Sequence, residues 1–191
     1  MVHAGLSALC ELENSDNAST AMLCLFDSEE IGSETRSGAG SPILARIIKR
    51  IVGNEPHAYD RCVENSFLIS ADMAHAIHPN QASKHDPVLQ PKMNKGVVVK
   101  YAANGSYTTD ALSAAVIKDI ANKAEVKLQY FANRSDMRGG STLGRVSIAH
   151  VDVKSVDLGN PMLAMHSCRE LCGVEDHLEI KKLFMAYMGD S

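Results

Sequence analysis

Short apolar runs alternate along this chain with segments in which apolar side chains recur every three to four residues. Continuous apolar runs are typical of strands buried on both faces of a sheet, and they predict strands at 21–26, 66–71, 96–100, 126–131 and 151–158. Helical spacing predicts the end of a helix at 6–12 and helices at 43–51, 109–122, 165–172 and 176–188. The alternation predicts an α/β fold with a mostly parallel central sheet flanked by helices.

Two polar segments interrupt this pattern. Residues 75–93 contain Pro79, Pro87 and Pro91, and they are too irregular for one helix or strand yet long enough to suggest a functional loop. Residues 136–144 form a glycine-rich turn that opens onto a possible helix.

Composition and charge argue against several classes of function. A net charge of -4 gives no electrostatic reason to expect nucleic-acid binding, and no apolar run is long enough to span a bilayer. The five cysteines are odd in number and include no CxxC pair, which indicates free thiols in a reducing, cytoplasmic compartment. Cys168 and Cys172 would share one face of the predicted helix, either as metal ligands or, as we favour, within a small buried surface.

Carboxylates follow two of the predicted strands. Glu29 and Glu30 come just after the first strand and Asp72 just after the second, where sites form in open α/β sheets. Of two adjacent carboxylates, one can bind a metal ion while the other accepts a proton. The alternatives are a solvated helix start at Glu29–Glu30, a helix cap at Asp72, and surface positions for His75 and His78. Spacing alone leaves both interpretations open.

Three longer segments carry a family resemblance. Residues 25–33 (LFDSEEIGS), 70–80 (SADMAHAIHPN) and 157–167 (DLGNPMLAMHS) closely resemble the aspartyl aminopeptidases, a family of two-zinc exopeptidases, and they occur in the family's order. The resemblance covers nearly the whole chain. It implies a zinc-exopeptidase-like fold and a zinc-dependent aminopeptidase.

The resemblance also implies roles for individual residues. Glu29 matches the general base, Glu30 and His166 match ligands of one Zn²⁺, and Asp72 matches a ligand of the other. Carboxylates and imidazole are suitable zinc ligands, and a catalytic zinc site keeps one position open for water. Cobalt or manganese in place of zinc stays open.

Substrate binding is assigned in the same way. His75 matches a residue that lines the substrate pocket, and Lys100 matches the lysine that meets an acidic substrate side chain. Without the resemblance, Lys100 would be interpreted as an exposed lysine at the end of a strand.

The glycine-rich turn has a matching role. The resemblance implies that it presents backbone N–H groups near the scissile peptide, because glycine allows close approach and a helix start offers free donors. The residues concerned are Gly140, Ser141 and Thr142. Gly139 and Arg145 depart from the cysteine and proline usual in the family, which predicts a locally different backbone.

The start of the chain departs further from the family pattern. An Asp-Asn pair, whose aspartate bridges the two metals, precedes the region that matches residues 2–5, and His3 lies past that bridging position. We therefore expect residues 1–191 to be the C-terminal portion of a metallopeptidase catalytic domain. The upstream ligand segment and dimerisation domain would be absent, and the second zinc site incomplete.

The predicted function is release of N-terminal Asp or Glu from peptides by an enzyme that forms a homo-oligomer when full length. This chain would be a truncated form whose own activity is in doubt. One alternative is a non-catalytic assembly or binding module derived from such a peptidase. Another is a zinc peptidase or deacylase that acts on neutral residues.

Overall fold

A computed structural model describes residues 1–12, 19–137 and 139–189. Its helices are α1 (Val2–Cys10), α2 (Ile43–Val52), α3 (Ala58–Glu64), α4 (Ala111–Lys123), α5 (Leu143–Ile148) and α6 (Val174–Gly189), with short 3-10 helices at Glu29–Ile31 and Ala82–Lys84. Its strands are β1 (Phe67–Ala71), β2 (Ala74–His75), β3 (Val97–Tyr101), β4 (Leu128–Ala132), β5 (Lys154–Gly159), β6 (Pro161–Leu163) and β7 (Leu171–Cys172).

The central sheet has four strands in the order β1-β5-β3-β4. β1 is parallel to β5 and β3 is parallel to β4, whereas β3 and β5 are antiparallel. A smaller sheet, in the order β2-β6-β7, continues the β1–β5 pairing beyond its carboxyl end. The predicted α/β fold with a central sheet flanked by helices is confirmed, and the sheet itself is mixed.

The main core lies between the sheet and three helices. β3 and β5 are central strands and supply fully buried valine and leucine side chains, while α4 and α6 pack against them and α1 packs on α6. The residues concerned are Ala4, Ala8, Val97, Val99, Ile117, Val156, Leu158, Ile180 and Leu183. β5 is therefore buried on both faces, and the candidate site is built around this strand.

The amino end of α4 is held by a capping box. The Asp110 carboxylate accepts a hydrogen bond from the Ser113 backbone N–H at 2.7 Å, and the Ser113 hydroxyl accepts one from the Asp110 N–H at 2.9 Å. We expect Asp110→Ala to lower the free energy of unfolding by about 1 kcal/mol, because a helix N–H loses its partner. Urea unfolding at pH 7 measures the change, and Asp119→Ala on the exposed face of the same helix serves as control. Equal losses in the two variants would contradict the capping assignment.

The strand predicted at 21–26 is wrong. Met22 and Leu25 are 40% and 54% exposed, and no strand pairs with this segment within the described residues. Leu23 packs beside Gly5, and Phe26 packs on the small cluster around α2 and α3. An apolar run becomes a strand only when a neighbouring backbone completes its hydrogen bonds, and the described part of the chain offers none here.

The helix predicted at 165–172 is also wrong. Ala164 and His166 have φ of +56° and +69°, which a right-handed helix cannot accommodate, and Leu171–Cys172 forms β7. Cys168 and Cys172 are both exposed, so neither the buried surface nor a shared helix face exists. All five cysteines are free thiols, as predicted. No helix within residues 1–12, 19–137 and 139–189 is long and apolar enough to cross a membrane.

Candidate active site

Asp72 lies where β1 gives way to β2. Its backbone N–H donates to the Leu158 carbonyl at 3.0 Å, and the Ala74 N–H donates to the Asn160 carbonyl at 2.9 Å, so the register of β1 with β5 continues into β2 and β6. In this register Gly159 lies opposite Asp72. A Cβ on Gly159 would lie 1.6 Å from the Asp72 carbonyl oxygen, so only glycine lets the two backbones approach at this point.

Lys100 lies beneath Asp72. It belongs to β3 and is only 1% exposed, and its Nζ lies 3.1 Å from the Asp72 carbonyl, 3.3 Å from the Met73 carbonyl and 3.6 Å from Asp72 Oδ2. Burial lowers the pKa of the Lys100 ammonium, and the charges of Asp72 and Asp157 act in the opposite direction. The alternative of an exposed strand-end lysine is therefore wrong. Lys100 is a buried cation paired with oxygen atoms.

Glu29 and Glu30 occupy a tight turn rather than the start of a long helix. Their 3-10 helix has three residues and is bounded by Ser28 and Gly32, both with positive φ. Ser33 N–H donates to the Ser28 carbonyl at 2.8 Å and closes the turn. Glu29 and Glu30 therefore begin one turn of 3-10 helix and not a longer helix.

The electrostatic surroundings of Glu29 bring the predicted residues into one neighbourhood. Partial burial raises the pKa of the Glu29 carboxyl, and the negative charges of Asp72 and Glu30 raise it further. His166 and Lys100 act on it in the opposite direction. A carboxylate with a raised pKa holds a proton more readily, as a general base requires.

Glu30 and His166 are in direct contact. Glu30 Oε2 lies 2.9 Å from His166 Nε2, although the two side chains are 71% and 66% exposed. An exposed ion pair contributes only about 0 to 1 kcal/mol to stability. A carboxylate oxygen and an imidazole nitrogen are both zinc-type donors, so we interpret this contact as part of a candidate metal site.

His75 ends β2 on the same side. Burial of part of its ring lowers its pKa, and the positive charges of His85, Lys100 and His166 lower it further. Its ring centroid lies 6.4 Å from that of Phe131. A lowered pKa favours the neutral imidazole near pH 7, which both donates and accepts hydrogen bonds.

The glycine-rich turn is divided between surface and interior. Gly140 and Ser141 are exposed, whereas Thr142 is buried and donates its hydroxyl to Asp157 Oδ1 at 2.5 Å. Within the described residues, no hydrogen bond joins Gly140 or Ser141 to the predicted carboxylates. The structure thus places Asp72 just after β1 and ties the turn to β5 through Thr142.

Comparison with known proteins decides the family. Residues 1–188 match the family model described as aminopeptidase I zinc metalloprotease (M18). The chain belongs to the M18 family. A probable M18 family aminopeptidase 2 of Clostridium novyi is 48% identical over 189 residues, which cover 97% of this chain and 43% of that protein. A probable aspartyl aminopeptidase of Ricinus communis is 39% identical and matches 100% of this chain and 40% of that protein. This M18 chain therefore spans about two fifths of the length of these relatives.

Solved structures of M18 proteins have the same fold. A cryo-EM structure of an Ape4 and Nbr1 complex matches with a TM-score of 0.93 and 39% identity, over 98% of this chain and 37% of that chain. The structure of an mApe1 dodecamer from S. cerevisiae matches with a TM-score of 0.82 and 28% identity, over 96% of this chain and 42% of that chain.

The donor chemistry of this M18 chain fits part of a zinc shell. Glu30 and His166 are oxygen and nitrogen donors 2.9 Å apart, close enough to bind one ion, and the charge of Asp72 acts on the neighbouring Glu29. In the described ranges, no three His, Cys, Asp or Glu side chains converge to hold an ion. A catalytic zinc usually has three protein ligands, so these residues supply an incomplete set.

Sequence reasoning gave no role to two residues that shape this site. Gly159 makes room for the Asp72 backbone, and Asp157 anchors Thr142. A charged residue inside the otherwise apolar run of β5 was the available signal for Asp157, because buried carboxylates require several hydrogen-bond donors. For Gly159 there was no such signal, since its role depends on the register between β1 and β5.

Proposed function

We propose that this chain is the C-terminal portion of the catalytic domain of an M18 aminopeptidase that releases N-terminal Asp or Glu from peptides. The observation that carries the proposal is the contact between Glu30 and His166 at 2.9 Å beside Glu29. This arrangement puts two zinc-type donors next to a carboxylate with a raised pKa. The upstream ligand segment and dimerisation domain would come from parts of the longer relatives that this chain does not span.

In the proposed reaction, Glu29 accepts a proton from the water that attacks the first peptide bond, and it then returns a proton to the leaving amine. Glu30 and His166 would hold one Zn²⁺ and Asp72 would contribute to a second. Zinc, when bound, supplies Lewis-acid activation of water and the substrate carbonyl. Gly140, Ser141 and Thr142 would offer backbone N–H groups to the substrate, and His75 would line the pocket.

Preference for an acidic residue would come from Lys100. In the structure its ammonium faces Asp72, with Oδ2 at 3.6 Å. If the Asp72 carboxylate held a metal ion, the Lys100 ammonium would be available to pair with the carboxylate of a substrate side chain. A desolvated charge pair of this kind contributes about 2 to 5 kcal/mol to discrimination. A neutral pocket, as in the alternative peptidase or deacylase, would gain nothing from a buried cation.

The alternative is a non-catalytic assembly or binding module. The incomplete donor set favours it, whereas the contact of His166 with Glu30 beside Glu29, whose pKa is raised, favours the enzyme. We propose a homo-oligomer for the full-length protein, supported by the dodecamer among the matching structures. A cytoplasmic location is supported by the five free thiols.

Zinc analysis together with a peptidase assay tests the proposal. The purified chain, and any longer protein that contains it, is dialysed against zinc and assayed with glutamyl and leucyl p-nitroanilide. We expect the longer protein to release the acidic residue, to lose activity in a chelator and to regain it with zinc. The chain alone should bind zinc weakly, because it offers at most two described ligands for each ion. Failure of the longer protein to bind zinc or cleave either substrate would support the module.

Replacing Lys100 with Leu tests the substrate preference. We expect the ratio of kcat/KM for the glutamyl over the leucyl substrate to fall by about 30-fold or more, since the substrate carboxylate loses a charge partner. The ratio is used because loss of the Asp72 contact affects both substrates equally. Lys95→Leu, at an exposed position before the same strand, is the control. An unchanged ratio in Lys100→Leu would refute the assignment.

A further inference from the structure

Asp157 is a buried carboxylate that the proposed chemistry does not use. It lies near the end of β5, between β1 and β3, and is 0% exposed. Burying a carboxylate is costly unless hydrogen bonds replace its water. The sheet needs no charge at this position, because neighbouring β5 positions hold Val156 and Leu158. The burial of the Asp157 carboxylate must therefore be explained by the groups that donate hydrogen bonds to it.

Those partners come from three separate segments. Oδ1 accepts hydrogen bonds from Ser70 Oγ and Thr142 Oγ1, both at 2.5 Å. Oδ2 accepts from the Thr108 N–H at 2.6 Å and from Thr108 Oγ1 at 3.0 Å. A carboxylate only accepts, so every hydroxyl in this cluster must donate to it. Asp157 thus connects the end of β1, the loop before α4 and the glycine-rich turn.

The Thr142 hydroxyl bonds to Asp157 and does not make the capping hydrogen bond that a threonine at the start of a helix usually makes. Thr142 is the N-cap of α5, yet its side chain caps no N–H of that helix. A capping threonine stabilises its own helix by about 1 kcal/mol, and here the hydroxyl is turned to Asp157 instead. The first turn of α5 also packs closely on the cluster, since a Cβ on Gly144 would lie 2.6 Å from Ser70 Oγ and 3.0 Å from Asp157 Oδ2.

We infer that Asp157 is a positioning residue of the candidate site, which holds the turn at residues 139–142 in place through Thr142. The same strand forms the backbone contact with Asp72 two residues later, at Gly159. One short segment therefore contacts both the turn, through Thr142, and the backbone of Asp72. This inference rests on the proposed function only in that the turn faces a substrate.

Two matched variants separate positioning from general stability. Thr142→Val and Ser70→Ala each remove one hydroxyl that donates to the same oxygen of Asp157 at 2.5 Å. Only Thr142 belongs to the turn. If the cluster only stabilised the fold, loss of either hydroxyl would have a similar effect on the turn. If Asp157 positions the turn, only loss of the Thr142 hydroxyl should change it. Thr142→Ser keeps the hydroxyl and serves as the rescue variant.

Hydrogen exchange and kinetics give two independent readouts. In the 191-residue chain, we expect Thr142→Val to speed amide exchange across 143–148 by about tenfold, and Ser70→Ala by less than about twofold, because Thr142 is the N-cap residue of α5, whereas loss of the Ser70 hydroxyl leaves the Thr142 bond to Asp157 in place. In the longer zinc-loaded peptidase, Thr142→Val should lower kcat by about tenfold with KM within about twofold, and Thr142→Ser should restore both readouts.

The outcomes are distinct. Equal exchange in Thr142→Val and Ser70→Ala, or a kcat that falls equally in both, would overturn the positioning role. If Thr142→Val fails to fold, Asp157→Asn replaces it. The amide keeps an acceptor for Thr108 and should speed exchange across 143–148, and unchanged exchange there would count against the inference. Absence of peptidase activity in the parent protein would reject the proposed function, while the exchange data would still decide whether Asp157 holds the turn.

Discussion

Glu29→Gln is expected to lower kcat of the proposed peptidase by about 10²- to 10⁴-fold, with zinc content unchanged. The amide keeps the size of the side chain but cannot accept a proton from water, and general-base catalysis contributes a factor of this order. Glu30 and His166 remain in place, so metal binding should survive. Steady-state kinetics on a glutamyl substrate, together with metal analysis of the same preparation, measures both quantities.

The pH dependence of Glu29→Gln gives a second readout. Burial raises the pKa of Glu29 in the folded protein, so the carboxylate needed for catalysis is lost as pH falls through that raised value, and kcat should fall on the acidic side. The folded state also binds this proton more tightly than the unfolded state. Ionised Glu29 is therefore unfavourable at pH 7, and Glu29→Gln should unfold at higher urea concentration there. The difference should disappear below about pH 4.5, the ordinary range of a glutamate.

Glu34→Gln is the matched control, because Glu34 is an exposed glutamate in the same loop. It should change neither kcat nor the pH dependence of stability. A Glu29→Gln enzyme that keeps more than about a tenth of the parent kcat would remove Glu29 from the role of general base.

Gly159→Ala is expected to lower the free energy of unfolding by about 4 kcal/mol or more, an exceptional loss for one methyl group. The added carbon would lie 1.6 Å from the Asp72 carbonyl oxygen, and this neighbour is backbone rather than a side chain that can rotate away. Relief requires β1 and β5 to separate where Asp72 N–H bonds to Leu158. Urea denaturation followed by circular dichroism measures the loss.

Gly140→Ala provides the comparison for Gly159→Ala. A Cβ at Gly140 meets no atom within 4 Å, so this substitution should change stability by no more than about 0.5 kcal/mol. A Gly159→Ala protein as stable as Gly140→Ala would show that the backbones at Asp72 and Gly159 do not approach as described.

Local sequence signals predicted most of the elements of the sheet. The strands at β1, β3, β4 and β5 and the helices at α2, α4 and α6 follow from apolar runs and helical spacing, because each buries its own apolar side chains. The run at 21–26 carries the same signal and forms no strand, since strand formation also depends on a backbone partner. The segment at 165–172 shows helical spacing, but positive φ at Ala164 and His166 breaks it.

For the candidate site, residue types were predictable and their contacts were not. Carboxylates at strand ends and the family resemblance indicated Glu29, Glu30, Asp72 and His166, and their roles remain predictions. The burial of Lys100 under Asp72 depends on the antiparallel pairing of β3 with β5, which no local pattern reveals. The cluster around Asp157 joins residues up to 87 positions apart in sequence, so only the folded chain brings its donors together.

Strand β5 limits how a protein with this fold could acquire a new substrate range. It pairs with β1 and β3, and along its length it carries both Asp157 and Gly159. A slip of one residue would turn Asp157 to the opposite face and place a side chain where glycine is required. Insertions and deletions in this strand are therefore disfavoured, and changes of length are expected in exposed segments outside the sheets, such as residues 79–84.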